Sequence, residues 1–100
     1  MVADFSIMPV GAGESLSGDV AEAVRLVTQS GLPYRVGPMS TSVEGPWDEV
    51  MALIKRCRDR MLERHNRVYL TIRIDDRKGA TGRLAAKVEA VEQKLGKTPA

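Results

Sequence analysis

The sequence predicts an α+β domain in the order β-α-β-β-α-β, with a further helix toward the C-terminal end. Three observations carry that reading. Val68, Leu70, Ile72 and Ile74 alternate with Arg67, Tyr69, Thr71 and Arg73, the period of two that a half-buried strand requires. Val50, Leu53, Ile54, Cys57 and Met61 recur at helical spacing and form one apolar stripe. Gly37-Pro38 and Gly45-Pro46 bracket a short run of alternating polar and apolar side chains, so the middle of the chain reads as turn, strand and helix start.

Each element follows from local chemistry. Met1 to Val10 forms the first strand, with Ala3, Phe5, Ile7 and Pro9 on one face and Asp4, Ser6, Met8 and Val10 on the other. Pro9 has no N–H to give a ladder and belongs near the strand's end. Gly11 to Ser15 is a loop, either a plain connection or a place where backbone approaches a ligand. Ser17 suits an N-cap and Asp19 a first turn; Val20, Ala23, Val24 and Val27 stripe a helix to Gln29, which Ser30-Gly31 ends. Tyr34 to Val36 is the second strand and Met39 to Glu44 the third. The second helix opens at Pro46, with Asp48 and Glu49 at its positive end, and closes at His65-Asn66, where Asn tolerates a left-handed cap. Arg67 to Asp76 is the fourth strand. After the loop 77–80, Leu84, Val88, Val91 and Leu95 stripe a third helix over Thr81 to Leu95, and residues 96–100 form a fraying tail.

This order is the split βαβ, or ferredoxin-like, sandwich: two helices on one face of a four-stranded antiparallel sheet, plus an extra C-terminal helix. The other face carries Asp4, Ser6, Met8, Tyr69, Thr71 and Arg73, and Met8 and Tyr69 suit it to a subunit contact. The 100 residues make one domain over 1–100, with an ordered core about 3–95.

Composition narrows the function. The net charge is +2, with no basic stripe, and four aromatic residues cannot build a base-stacking platform, so no nucleic-acid partner is expected. One cysteine excludes an internal disulfide. No stretch is apolar enough to span a membrane and the N-terminus does not read as a leader, so the expected location is cytoplasmic.

Little in the sequence reads as catalysis. His65 stands at a helix end, where a cation is favoured, and capping outweighs a catalytic reading. Cys57 lies in an apolar stripe without a histidine to activate it and reads as buried packing. No Cys/His cluster has zinc spacing, and Gly11-Ala12-Gly13 lacks the third glycine of a dinucleotide loop, so no metal or cofactor is expected. Asp75-Asp76 is either a solvated pair beside Arg73 and Arg77 or a site for a cation or ligand amine. Glu44 either accepts N–H bonds at the start of the second helix or faces a polar pocket, for which Gly45 leaves room. Thr41 and its flanking serines offer donors and acceptors. Thr41 and Glu44, three apart, leave opposite faces of a regular strand, and share a pocket only through a twist, a bulge or a subunit boundary.

Four stretches carry a resemblance: Phe5 to Gly11 (FSIMPVG), Ser30 to Tyr34 (SGLPY), Gly37 to Gly45 (GPMSTSVEG) and Ile74 to Arg77 (IDDR). Together they resemble the small thiamine-binding domain family related to YkoF, from Phe5 to about Leu95. The resemblance implies the ferredoxin-like fold with its extra helix, and non-catalytic binding of thiamine or its hydroxymethylpyrimidine part. It implies a homo-oligomer, with a tetramer favoured and a dimer possible. Carried onto this chain, it implies ligand contacts at Ser6, Pro9 and Gly11 after the first strand, Met39, Thr41 and Glu44 around the third, and Asp75 at the end of the fourth. Pro46-Trp47 departs from the family pattern; its indole would cover a pocket mouth or anchor the second helix. The alternative is an oligomeric structural or regulatory protein acting through its sheet face.

Overall fold

The computed structural model describes residues 1–11, 17–79 and 82–95. Its elements are β1 (Val2–Pro9), α1 (Ser17–Gln29), β2 (Tyr34–Val36), β3 (Thr41–Glu44), α2 (Trp47–Leu62), β4 (Val68–Asp75) and α3 (Arg83–Leu95). The sheet order is β2-β3-β1-β4 with every neighbouring pair antiparallel, which is the ferredoxin-like arrangement. The loop expected over 11–15 beyond Gly11, the proposed helix start at Thr81, and the tail lie outside the described residues, as does the Ser17 side chain. Among the described residues no helix is long and apolar enough to cross a membrane.

Alternation sorts the sheet into two faces. Ala3, Phe5 and Ile7 of β1 and Val43 of β3 are buried against Ala23 and Val27 of α1 and the α2 stripe Val50, Leu53, Ile54, Cys57 and Met61. Leu53 is fully buried there, and truncating such a side chain to alanine costs about 2–5 kcal/mol. One row crosses the opposite face, fixed by the pairings Arg35 with Ser42, Ser42 with Asp4, and Asp4 with Arg73. Met8 opposite Tyr69 forms another pair on this open face, with Tyr69 61 % exposed.

Three element ends differ from the expectation for a visible local reason. β3 starts at Thr41, not Met39, because the Gly37 N–H donates to the Ser40 carbonyl at 2.8 Å and commits 37–40 to a turn. Pro46 is the N-cap of α2, one residue before the helix. That helix stops at Leu62, where the Glu63 and His65 N–H groups reach back to the Asp59 and Met61 carbonyls; among the described residues only glycines have positive φ, so Asn66 forms no left-handed cap. A further difference concerns burial on α3. Leu84 and Val88 are half-buried, whereas Val91 and Leu95 are exposed. Gly31, at φ 79, ends α1 as expected.

Candidate functional site

The register creates an opening in the sheet. β3 pairs with β1 only from Val2 to Phe5, whereas β4 continues alongside β1 as far as Pro9. The hairpin turn 37–40 takes the chain away from β1 just beyond Phe5, so the β3-side edge of Ser6 to Pro9 has no strand opposite it. A cleft of about 310 Å³ occupies this place, bounded by β1, the apolar side of α1 and the 37–40 turn. Because it opens at a strand edge, both faces of β1 line it: Phe5 and Ile7 from the helix side, Ser6 and Met8 from the other. Val20, Val24 and Val27 form the α1 wall, and Met39, Ser40 and Thr41 the turn wall. No charged side chain lines it among the described residues.

The candidate residues therefore separate. Ser6, Met39 and Thr41 come together in the cleft, and Met39, 85 % exposed, stands at its rim. Pro9 and Gly11 follow on the same strand end but are not part of the lining; Pro9 is buried opposite Val68 and Gly11 takes φ 79. Glu44 and Asp75 lie away from the cleft, flanking Val2 in the register. Glu44, only 8 % exposed, accepts the Arg83 N–H at 2.8 Å and the Leu84 N–H at 3.5 Å. Its backbone-capping role is thus at α3, not at α2 as the sequence suggested. The room expected beside Gly45 is filled: a Cβ there would meet Leu32 at 3.0 Å and Val50 at 3.3 Å. Asp75 pairs with Lys87 of α3 rather than with Arg73 or Arg77, and that ammonium holds its carboxyl below the usual range. Trp47 opens α2 and does not line the cleft.

Asp4 is the residue that sequence reasoning did not single out. Its Oδ1 accepts the Ser40 hydroxyl at 2.6 Å and the Ser42 hydroxyl at 3.2 Å, and its Oδ2 accepts from Arg73 at 2.7 Å. Partial burial raises its pKa, but the bonds from Ser40, Arg73 and Ser42 and the Arg73 charge outweigh that, and the net shift is downward. The only available signal was its shared face with Arg73; its serine partners sit on β3 and in the turn before it, and the sequence does not state their register against β1.

The remaining reactive groups are occupied. Cys57 is buried, its Sγ lies 3.8 Å from the Ala23 carbonyl, and burial pushes its thiol up to about 11. The His65 Nε2 lies 3.0 Å from Oδ1 of Asp19, which is buried in the first turn of α1. His65 thus joins α2's end to α1's start. Among the described residues no group of three His, Cys, Asp or Glu side chains is placed to hold a metal.

Comparison with known proteins shows the family of the chain. The family described as thiamine-binding protein matches residues 3–92. The chain belongs to that thiamine-binding protein family. A UPF0045 protein of Mycobacterium bovis is 41 % identical over 92 residues, covering 91 % of this chain and 90 % of that one. A solved hypothetical protein of Methanocaldococcus jannaschii superposes with a TM-score of 0.83 at 30 % identity, over 92 % of this chain and 95 % of its own. A Thermotoga maritima protein titled for thiamine biosynthesis or salvage, as a provisional assignment, shares the fold with a TM-score of 0.73 at 23 % identity, over 95 % and 94 % of the two chains.

Proposed function

We propose that this member of the thiamine-binding protein family binds thiamine, or its hydroxymethylpyrimidine moiety, in the cleft beside β1, and that it does so without catalysis. The observation that carries the reading is the opening in the sheet. A strand edge with no strand opposite it offers main-chain N–H and C=O groups, and the hydroxyl-bearing residues Ser6, Ser40 and Thr41 line the cleft beside it. An aminopyrimidine presents an amine donor and ring-nitrogen acceptors along one edge, and it completes such a strand edge as a neighbouring strand would. Phe5, Ile7, Met39 and the valines of α1 give its ring faces apolar cover. At about 310 Å³ the cleft is at the small end of ligand sites.

The charge distribution favours the pyrimidine as the buried end. With no carboxylate among the described lining residues, a buried thiazolium would lose water without gaining a counter-charge from them. The cationic ring accordingly stays at the mouth, near Met39. Non-catalytic binding fits the state of the reactive groups: the thiol is protonated and buried, and the imidazole is engaged with Asp19. Titration calorimetry with thiamine, thiamine phosphates and hydroxymethylpyrimidine tests this. The expected result is saturable binding in which hydroxymethylpyrimidine keeps most of thiamine's affinity. Silence across the panel would remove the reading.

A second reading, assembly through the sheet face, has its own support. Met8, Tyr69, Val91 and Leu95 are exposed apolar side chains on the open face and on α3. We infer that copies of the chain associate there, as a tetramer in preference to a dimer. The two readings are compatible, since the cleft opens at the sheet edge.

A further inference from the structure

We propose that Asp4, on the face of the sheet opposite α1 and α2, sets the hydrogen-bonding polarity of the cleft by fixing Ser40 as an acceptor. This rests on the binding reading above and names the ligand group that the turn wall selects.

Ser40 has two attachments. Its carbonyl accepts the Gly37 N–H at 2.8 Å, which closes the turn. Its hydroxyl donates to the Asp4 carboxylate at 2.6 Å, the short distance of a charge-assisted O–H···O⁻ bond. The same residue lines the cleft. A serine hydroxyl has one proton and two lone pairs. With the proton committed to a carboxylate, only acceptor capacity remains for anything in the cleft. Asp4 itself is not free to meet a ligand, because Ser42 and Arg73 also hold its oxygens. Its low pKa keeps it ionised near neutrality, so the direction of the Ser40 bond does not reverse.

The consequence is selectivity at one ligand atom. A ring amine donates to Ser40, while a ring carbonyl at the same carbon meets a second acceptor. Asp4 is therefore a positioning residue that acts through Ser40, and the cleft discriminates an aminopyrimidine from its deaminated oxo counterpart. Ser42 supplies an internal control, since it donates to the same Asp4 oxygen but is not part of the cleft lining.

Calorimetric titration of the chain with hydroxymethylpyrimidine and with its deaminated oxo form reads this directly. The unsubstituted protein should prefer the amine by roughly tenfold to a hundredfold, the range for a hydrogen bond to a polarised partner against an unpaired buried acceptor. Asp4→Ala frees the Ser40 hydroxyl to rotate and donate, so the preference should shrink to within about threefold, mainly through a gain by the oxo ligand. Ser40→Ala should also erase the preference, by a loss for the amine, and it does not depend on how well the Asp4 variant folds. Ser42→Ala should retain it, and Asp4→Asn, which keeps an acceptor oxygen, should restore part of it. An undiminished amine preference in folded Asp4→Ala or in Ser40→Ala overturns the inference while leaving ligand binding intact. Equal affinity of the unsubstituted protein for both ligands does the same. Binding of neither ligand overturns the underlying reading and this inference together.

Discussion

The role of Glu44 can be separated from ligand binding by a single substitution, Glu44→Gln. α3 begins without a side-chain cap of its own. The Ala86 N–H donates to the Gly82 carbonyl, which makes Gly82 the N-cap residue, and glycine has no oxygen to offer the following N–H groups. Glu44 supplies that oxygen from β3, accepting from Arg83 and Leu84. The carboxylate also lies at the positive end of the helix dipole. Hydrogen bonds to a charged group contribute about 1.5–3 kcal/mol and neutral ones about 0.5–1.5. Gln retains one oxygen for the shorter bond, so the loss is the charge increment together with the weaker contact, roughly 1–2 kcal/mol.

That loss should be local. None of the residues of α3 is fully buried, and its apolar contact rests on the half-buried Leu84 and Val88, so weakening the cap releases α3 before the core. Amide hydrogen exchange followed by NMR is the appropriate assay. We expect α3 amides to exchange about five- to thirtyfold faster, with those of Leu53 and Ile54 in α2 much less affected. Affinity for thiamine should be unchanged, because Glu44 is not in the cleft. Unaltered protection in α3, or a tenfold weaker thiamine affinity, would refute the assignment.

Further outcomes follow from the same contacts. Cys57→Ser should destabilise the fold by about 1–3 kcal/mol in thermal melts by burying a poorly partnered hydroxyl, without altering ligand affinity. The native thiol should react with a bulky reagent only through unfolding; because its folded pKa is raised from 9.0 to about 11, its contribution to stability is complete below the unfolded value and is lost as pH rises through that interval. Asp4 gives the opposite sign: its depressed pKa contributes stability above 3.8 that disappears as pH falls through the folded value, so Asp4→Asn should flatten the acid limb of a pH–melting curve, and an unchanged limb would contradict the Ser40 and Arg73 bonds. Sedimentation at micromolar concentration should show a tetramer, and a single species near 10.9 kDa would exclude assembly through the open face.

What could be read from the sequence was whatever depends on neighbours along the chain. The β4 alternation, the α2 stripe and the three-residue β2 need only local periodicity, and each appears where the pattern puts it. The stripe of α3 shows the limit of that logic. Period 3.6 identifies Leu84, Val88, Val91 and Leu95 as one face, but whether a surface exists to cover all four depends on how far the sheet extends beneath the helix; Val91 and Leu95 remain exposed. Asp4 was hidden for a related reason. Its partners Ser40, Ser42 and Arg73 are distant in sequence and become neighbours only through strand register.

Register also explains why the polar candidates of one short strand divide between two tasks. Thr41 and Glu44 differ by an odd number of residues, so a regular strand turns them to opposite faces, and β3 is regular over its length. Ser6 and Thr41 face opposite ways as well, yet both reach the cleft, because β3 stops opposite Phe5 and leaves an edge that is open to both sides. The acids go elsewhere. Glu44 and Asp75 flank Val2 and hold α3, through its first N–H groups and through Lys87. Among the described residues Asp4 is the one carboxylate bonded to a residue of the cleft wall, and it reaches that wall through a hydroxyl. In a mostly apolar cleft a carboxylate in the lining would need a cation to offset its desolvation, whereas an oriented hydroxyl matches a neutral amine without adding charge. This division of polar groups therefore suits the cleft to the uncharged end of its proposed ligand.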